Sequence, residues 1–313
     1  MAAPTHHLPG EGPRYVTDGG IETDLIFHHG VDLPEFAAFP LLDDPAGQRL
    51  LAQYYDAYAG VAEDARAHLL LESPTWRANP DWGAQVGYDA KQLARANANS
   101  IHFLRDLEKR YDATVPGIAI SGTIGPRGDG YAPGPAVNPE EAAEYHSPQV
   151  AAFAAAGADL VTAYTLTDPG EAIGIIAAAR AHGIPVGISF TVETDGRLPG
   201  GTSVAEAILL VDRAGGPDHY LLNCAHPEHL LAGLSGTAAE RAAWDRIIGF
   251  RANASIASHA ELDEAPELDE GDIPRFVAGH DRMAARLGEP TILGGCCGTD
   301  VRHVAALWGV PTR

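Results

Sequence analysis

Short apolar runs recur along this chain, each bounded by Gly, Pro, Asn or Asp, and the longer stretches between them carry apolar residues at every third or fourth position. The runs lie at 14–17, 67–71, 118–120, 159–162, 186–190, 220–222, 247–250 and 291–293. Runs of this length bounded by turn residues predict buried strands. Between the first two, residues 45–65 place Leu50, Leu51, Tyr54, Tyr58 and Val61 on one side of a helix. Helical spacing returns at 90–111, from Pro139 onward, at 170–181, at 204–213, after His226, at 274–287 and at 301–308. Pro139 suits the first position of its helix, where a fixed φ and a missing N–H cost nothing. Eight strands, each followed by helical sequence, predict an α/β protein: one single-domain (β/α)₈ TIM barrel over residues 14–313, preceded by a flexible polar tail at 1–13 that carries His6 and His7.

The turns after the strands refine this. Asp18-Gly-Gly20 and Ser121-Gly-Thr-Ile-Gly-Pro126 are glycine-rich, but no G-x-G-x-x-G opens a helix, so a dinucleotide fold has no support. Residues 258–272 hold seven acidic residues and one proline and read as a solvated loop or lid, with the charge serving solubility. The whole chain has 42 acidic against 21 basic residues, a formal net charge of −21. Such a surface repels phosphate backbones and anionic lipid, which argues against nucleic acid and membrane as partners. No apolar run approaches the ~18 residues of a membrane span, and the first residues lack a signal-peptide pattern. A cytoplasmic protein is expected; a homo-oligomer is allowed but not specified.

Three cysteines remain to be explained. Cys224 follows the sixth predicted strand, and Cys296 and Cys297 follow the eighth, inside Gly294-Gly-Cys-Cys-Gly-Thr299. An odd number, two of them adjacent, does not make a secreted disulfide framework. In a barrel the strand C-termini open onto one face, so residues distant in sequence meet there. Three thiolates at two strand ends suit Zn²⁺, with the fourth tetrahedral position left for a ligand. Histidine is the competing donor, but H-E-x-x-H and C-x-x-C are both missing, and His226 is better explained as shaping the turn before Pro227. A zinc hydrolase would be expected to place a Glu or His base beside the ligands.

Gly294-Gly-Cys-Cys-Gly-Thr299, Asn223-Cys224, Asp18-Gly-Gly20, Ser121–Pro126 and Ser189-Phe-Thr191 with Asp195-Gly and Gly201-Thr202 together resemble the homocysteine S-methyltransferases, from about Tyr15 to Leu307. The resemblance implies a (β/α)₈ barrel with zinc on Cys224, Cys296 and Cys297. It implies transfer of a methyl group from S-methylmethionine, S-adenosylmethionine or betaine to the zinc-bound thiolate of homocysteine, giving methionine. No side chain acts as nucleophile in that chemistry. A carboxylate is needed for the substrate's amino group, and Asp18 suits it. Many relatives add a glutamate after the fourth strand, where this chain has Tyr164. Either Glu72 supplies that charge from another strand end, or the acceptor is a different thiol or selenol without the usual amino-acid head. Thr75 and Trp76 match a Thr-aromatic pair of relatives, Trp76 offering a face to a cationic donor. Asn223 and Asn253 complete the expected substrate contacts. A non-catalytic zinc- or thiol-binding sensor is the reading from another class.

Overall fold

The computed structural model describes residues 8–10, 12–131, 134–234, 237–263, 265 and 267–312. Eight parallel strands close into a barrel in sequence order: β1 (Tyr15–Val16), β2 (His68–Glu72), β3 (Ile118–Ile124), β4 (Leu160–Leu166), β5 (Val186–Phe190), β6 (His219–Asn223), β7 (Ile247–Ala252) and β8 (Ile292–Gly295). The seam is short, with Tyr15 opposite Ile292 and Val16 opposite Leu293. The barrel interior is packed by Tyr15, Leu70, Ala119, Leu160, Tyr164, Leu221 and Ile292. Leu8, from the segment expected to be a loose tail, packs against this interior; residues 1–7 and 11, with His6 and His7, lie outside the described residues. A larger apolar layer lies between strands and surrounding helices.

The helices form where the spacing and caps direct them. Pro45–Ala65 begins at Asp44, whose carboxylate accepts from the N–H groups of Ala46 and Gly47. Ala90–Tyr111 begins with a capping box between Asp89 and Gln92, and Val204–Arg213 with one between Ser203 and Glu206. No helix among the described residues is long and apolar enough to cross a membrane.

Several strands run further than their apolar cores predict, and three of them carry the ladder well into the rim. β3 continues to Ile124 through the expected glycine-rich turn, β4 continues to Leu166 and so includes Tyr164, and β7 continues to Ala252 and so includes Arg251. The reason is physical. At the C-terminal rim the inward positions face the cavity, so polar and small residues replace the apolar ones although the backbone remains in the ladder.

Candidate metal centre and its cavity

All three cysteines meet at the C-terminal end of the barrel. Their Sγ atoms lie within 4.8 Å of one another, Cys224 being buried and the other two half-buried. Cys224 Sγ and Cys297 Sγ are 3.7 Å apart. A tetrahedral zinc ~2.3 Å from each sulfur sets sulfur–sulfur edges of roughly 3.8 Å, so the donor set fits that ion. Three thiols this close do not all ionise without a cation. Hydrogen bonds from Cys224 and Cys297 hold Cys296 well below the usual thiol range, while the same contacts push Cys224 up.

The backbone is bent to deliver these thiols. Cys224 has φ 56° and Thr165 has φ 61°, left-handed values that non-glycine residues hold only when their surroundings enforce them. Asn223 is the enforcing group. Its Oδ1 accepts from Thr165 N (2.9 Å) and Ser189 Oγ (2.7 Å), and its Nδ2 donates to Thr165 Oγ1 (2.9 Å). On the other side, the loop carrying Cys296 packs on Gly20, where a Cβ would lie 2.5 Å from the Cys296 carbonyl oxygen. Asp18-Gly-Gly20 is therefore a seat for the cysteine loop as well as a turn.

Above the thiols is a cavity of about 430 Å³. Asp18, Glu72, Trp76, Tyr164, Asn223 and Asn253 all line it, together with Cys224, Cys296 and Cys297. Thr75 does not. Its hydroxyl is buried behind the wall, donating to the Thr123 carbonyl at 2.8 Å.

Asp18 and Glu72 form one buried cluster with Arg251. The guanidinium reaches Glu72 through Nη1 and Asp18 through Nη2, donates to the carbonyls of Gly19 and Gly295 at 3.0 Å each, and lies 4.9 Å from the Tyr164 ring centre. Tyr164 donates its hydroxyl to Glu72 at 2.6 Å and Tyr54 donates to Asp18 at 3.1 Å. The Thr17 hydroxyl sits 3.0 Å from Glu72 and 3.3 Å from Asp18. Burial pushes both carboxyls up, and Arg251 opposes it.

The sequence profile of the homocysteine S-methyltransferase family matches residues 15–309. The chain belongs to that family. Homocysteine S-methyltransferase membership makes it an enzyme of the methyltransferase class. Among solved structures, the metallated form of the homocysteine methyltransferase MmuM from Escherichia coli shares 21% identity, with 96% of each chain covered and a TM-score of 0.70. The oxidised form of the same protein shares 21% over 95% of each chain, with a TM-score of 0.69. These likenesses bear on the fold. A search of curated proteins finds no match.

In this family member, several wall residues escape sequence reasoning. Arg251 lies just past the apolar part of β7. Tyr131, in the loop after β3, brings its hydroxyl 3.0 Å from Cys224 Sγ and 3.8 Å from Cys297 Sγ. Its ring stacks on His259 at 4.3 Å, and His259 Nε2 contacts the Cys224 carbonyl at 2.5 Å. Glu22, in the first turn of the helix Ile21–Phe27, is pushed up to about 7 by burial. Arg77 has its guanidinium 4.1 Å from the Trp76 ring and 3.6 Å from the Trp82 ring. The only signal available was position, since each follows a strand or turn that carries a recognised motif.

The acidic segment at 258–272 is not a freely solvated loop. His259, Leu262, Asp263, Ala265, Glu267, Leu268 and Asp269 line the cavity. Asp269 is held by Ser255 and by Gly271 N. His226 stands apart from the cavity and accepts from Glu228 N at 3.2 Å, at the start of the helix Pro227–Gly233.

Proposed function

We propose that the chain is a zinc-dependent S-methyltransferase that moves a methyl group from a cationic sulfonium or ammonium donor to a thiol, homocysteine or one of similar length. The observation that carries this reading is the three-sulfur cluster at the floor of a cavity large enough for two small reactants. Zinc held by Cys224, Cys296 and Cys297 would lower the pKa of a thiol brought to it. The electron pair of the new S–C bond comes from the acceptor sulfur. The donor's sulfur or nitrogen keeps the pair of the broken bond and becomes neutral, and the thiol proton leaves on binding. No protein nucleophile is required, because holding the two reactants in line supplies much of the rate.

The wall residues divide between these tasks. Glu22, Asp129, Asp263, Glu267 and Asp269 give the cavity an acidic lining suited to a positively charged donor. Trp76 adds an aromatic face of the kind that attracts onium groups. Asn253, buried with its Oδ1 lacking a hydrogen-bond partner among the described residues, offers an acceptor to a substrate donor group. A reducing, cytoplasmic setting would keep the three thiols free for metal.

The test is zinc content and methyl transfer in the wild type and in Cys297→Ser. The wild type should hold one zinc per chain and methylate a thiol from S-methylmethionine, S-adenosylmethionine or betaine. Cys297→Ser should lose most of its zinc and its activity together. Full metal in Cys297→Ser, or tight thiol binding without turnover with any donor, refutes the reading, the second outcome pointing to a sensor.

A further inference from the structure

We propose that His259 is a positioning residue that ties the acidic segment 258–272 to Cys224 through a hydrogen bond to the Cys224 carbonyl, so that the segment closes over the cavity when the three sulfurs hold a cation and loosens when they do not. The proposal rests on the reading that Cys224, Cys296 and Cys297 bind zinc, and it goes beyond it by making the metal hold a loop as well as a thiol.

The first ground is the way His259 meets Cys224. Its Nε2 lies 2.5 Å from the Cys224 carbonyl oxygen, and since a carbonyl only accepts, Nε2 is the donor. Thr191 Oγ1 donates to the same oxygen at 3.3 Å. Two groups hold the ring in this place. Glu193 faces Nδ1 at 3.1 Å, and Tyr131 stacks on the ring at 4.3 Å while its hydroxyl lies 3.0 Å from Cys224 Sγ. The first residue of the helix His259–Asp263 is thus buried against the main chain of a ligand and, through Tyr131, against its sulfur.

The second ground is the way the rest of the segment is held. Its far end is pinned to other parts of the barrel. Asp269 accepts from Ser255 Oγ, the Glu270 carbonyl meets His303 Nε2 at 2.9 Å, and the Glu270 carboxylate pairs with Arg302 and His28. Gly298, beside Cys297, packs so closely that a Cβ there would lie 2.7 Å from the Asp269 carbonyl oxygen. Between the ends, the N–H groups of Leu262 and Ala265 bond inside the segment, to the carbonyls of Ser258 and Leu262. The inner part, which turns Leu262, Asp263, Glu267 and Leu268 to the cavity, therefore hangs between a fixed end and His259.

Whatever steadies Cys224 steadies that second attachment. Cys224 holds a left-handed φ of 56°, a conformation that lasts only while its surroundings enforce it. A cation shared by the sulfurs fixes its side chain against Cys297, 3.7 Å away. Linkage runs both ways: if metal stabilises the closed segment, the closed segment strengthens metal binding by the same factor.

Backbone hydrogen exchange over 258–268 tests this on the full chain, stripped with a chelator and then reloaded with zinc. Zinc should slow exchange across the segment about fivefold or more in the wild type. His259→Ala should still take up one zinc per chain at saturation, with the slowing reduced below about twofold and zinc affinity, read by chelator competition, lowered roughly threefold or more. His259→Gln, whose Nε2 can still donate to the carbonyl, should restore most of the slowing. Equal exchange with and without zinc in the wild type overturns the proposal, and that result stands even if a variant fails to fold. Wild-type slowing in His259→Ala, or His259→Gln no better than His259→Ala, overturns it too. A wild type that takes up no zinc refutes the function and the proposal together, and metal content reads this directly. If the zinc effect holds but no thiol is methylated, methyl transfer fails while the tie stands; if methyl transfer proceeds and exchange ignores zinc, only the tie fails.

Discussion

At the scale of single residues, the cavity divides into groups whose charge is settled by protein partners and groups whose charge is set by pH. Arg251 belongs to the first kind. Removing one member of a buried ion pair leaves an uncompensated charge, so Arg251→Ala should lower stability by ~3–5 kcal/mol, read as a shifted denaturant midpoint at constant slope. An unshifted midpoint would show that Asp18 and Glu72 are solvated in solution. Glu22 belongs to the second kind. Burial raises its carboxyl to about 7, so it is neutral below that pH and anionic above it. An anion favours a cationic donor, so the donor's KM should fall as pH rises from 6 to 8. Glu22→Gln should flatten that dependence, and a wild-type profile already flat would remove Glu22 from the donor site. The clustering of Cys224, Cys296 and Cys297 was legible beforehand because cysteine is rare in this chain and its chemistry is narrow. Arg251, Tyr131 and Arg77 were not, because a lone arginine or tyrosine in a rim loop has the same sequence appearance whether it faces solvent or a cavity.

At the scale of elements, the strands and long helices were readable because each buries a regular face. Helices Ala90–Tyr111 and Val204–Arg213 and strand β5 have the bounds that their spacing predicts. The strand ends were not readable, since periodic burial stops where the cavity begins, and the residues that carry function lie beyond that point. The acidic segment was only half read for a related reason. Leu262, Leu268 and His259 turn to the cavity together with Asp263, Glu267 and Asp269, and a charge run does not show which of its members face a cavity. Element contact also explains the Asp18-Gly-Gly20 seat. In Gly20→Ala the new Cβ would meet the Cys296 carbonyl oxygen at 2.5 Å, with Thr23 Oγ1 at 2.6 Å, and backbone leaves little room to yield. Overpacking of this kind costs ~1–3 kcal/mol, and because the displaced loop carries Cys296, one of the proposed zinc ligands, zinc content should fall together with the melting temperature. A variant with full zinc and wild-type stability would show the loop to be free of the seat.

At the scale of the whole molecule, a net charge of −21 surrounds a cavity whose lining is itself acidic. Such a field speeds the arrival of cations and slows that of anions. Raising ionic strength from ~10 mM to ~150 mM shortens the screening length from about 30 Å to about 8 Å. The kcat/KM for a cationic methyl donor should therefore fall with added salt, and that for an acceptor thiol of no net charge should change little; the same slope for both would rule out steering. The closed barrel also has a consequence in time. β1 finds its second neighbour only in β8, and the seam is two residue pairs long. In chain order β8 is the last strand, and Cys296 and Cys297 follow directly from it, whereas Cys224 follows β6. The segment that closes the ring therefore also completes the proposed zinc site, so a metal bound there would tie the first-made part of the chain to the last.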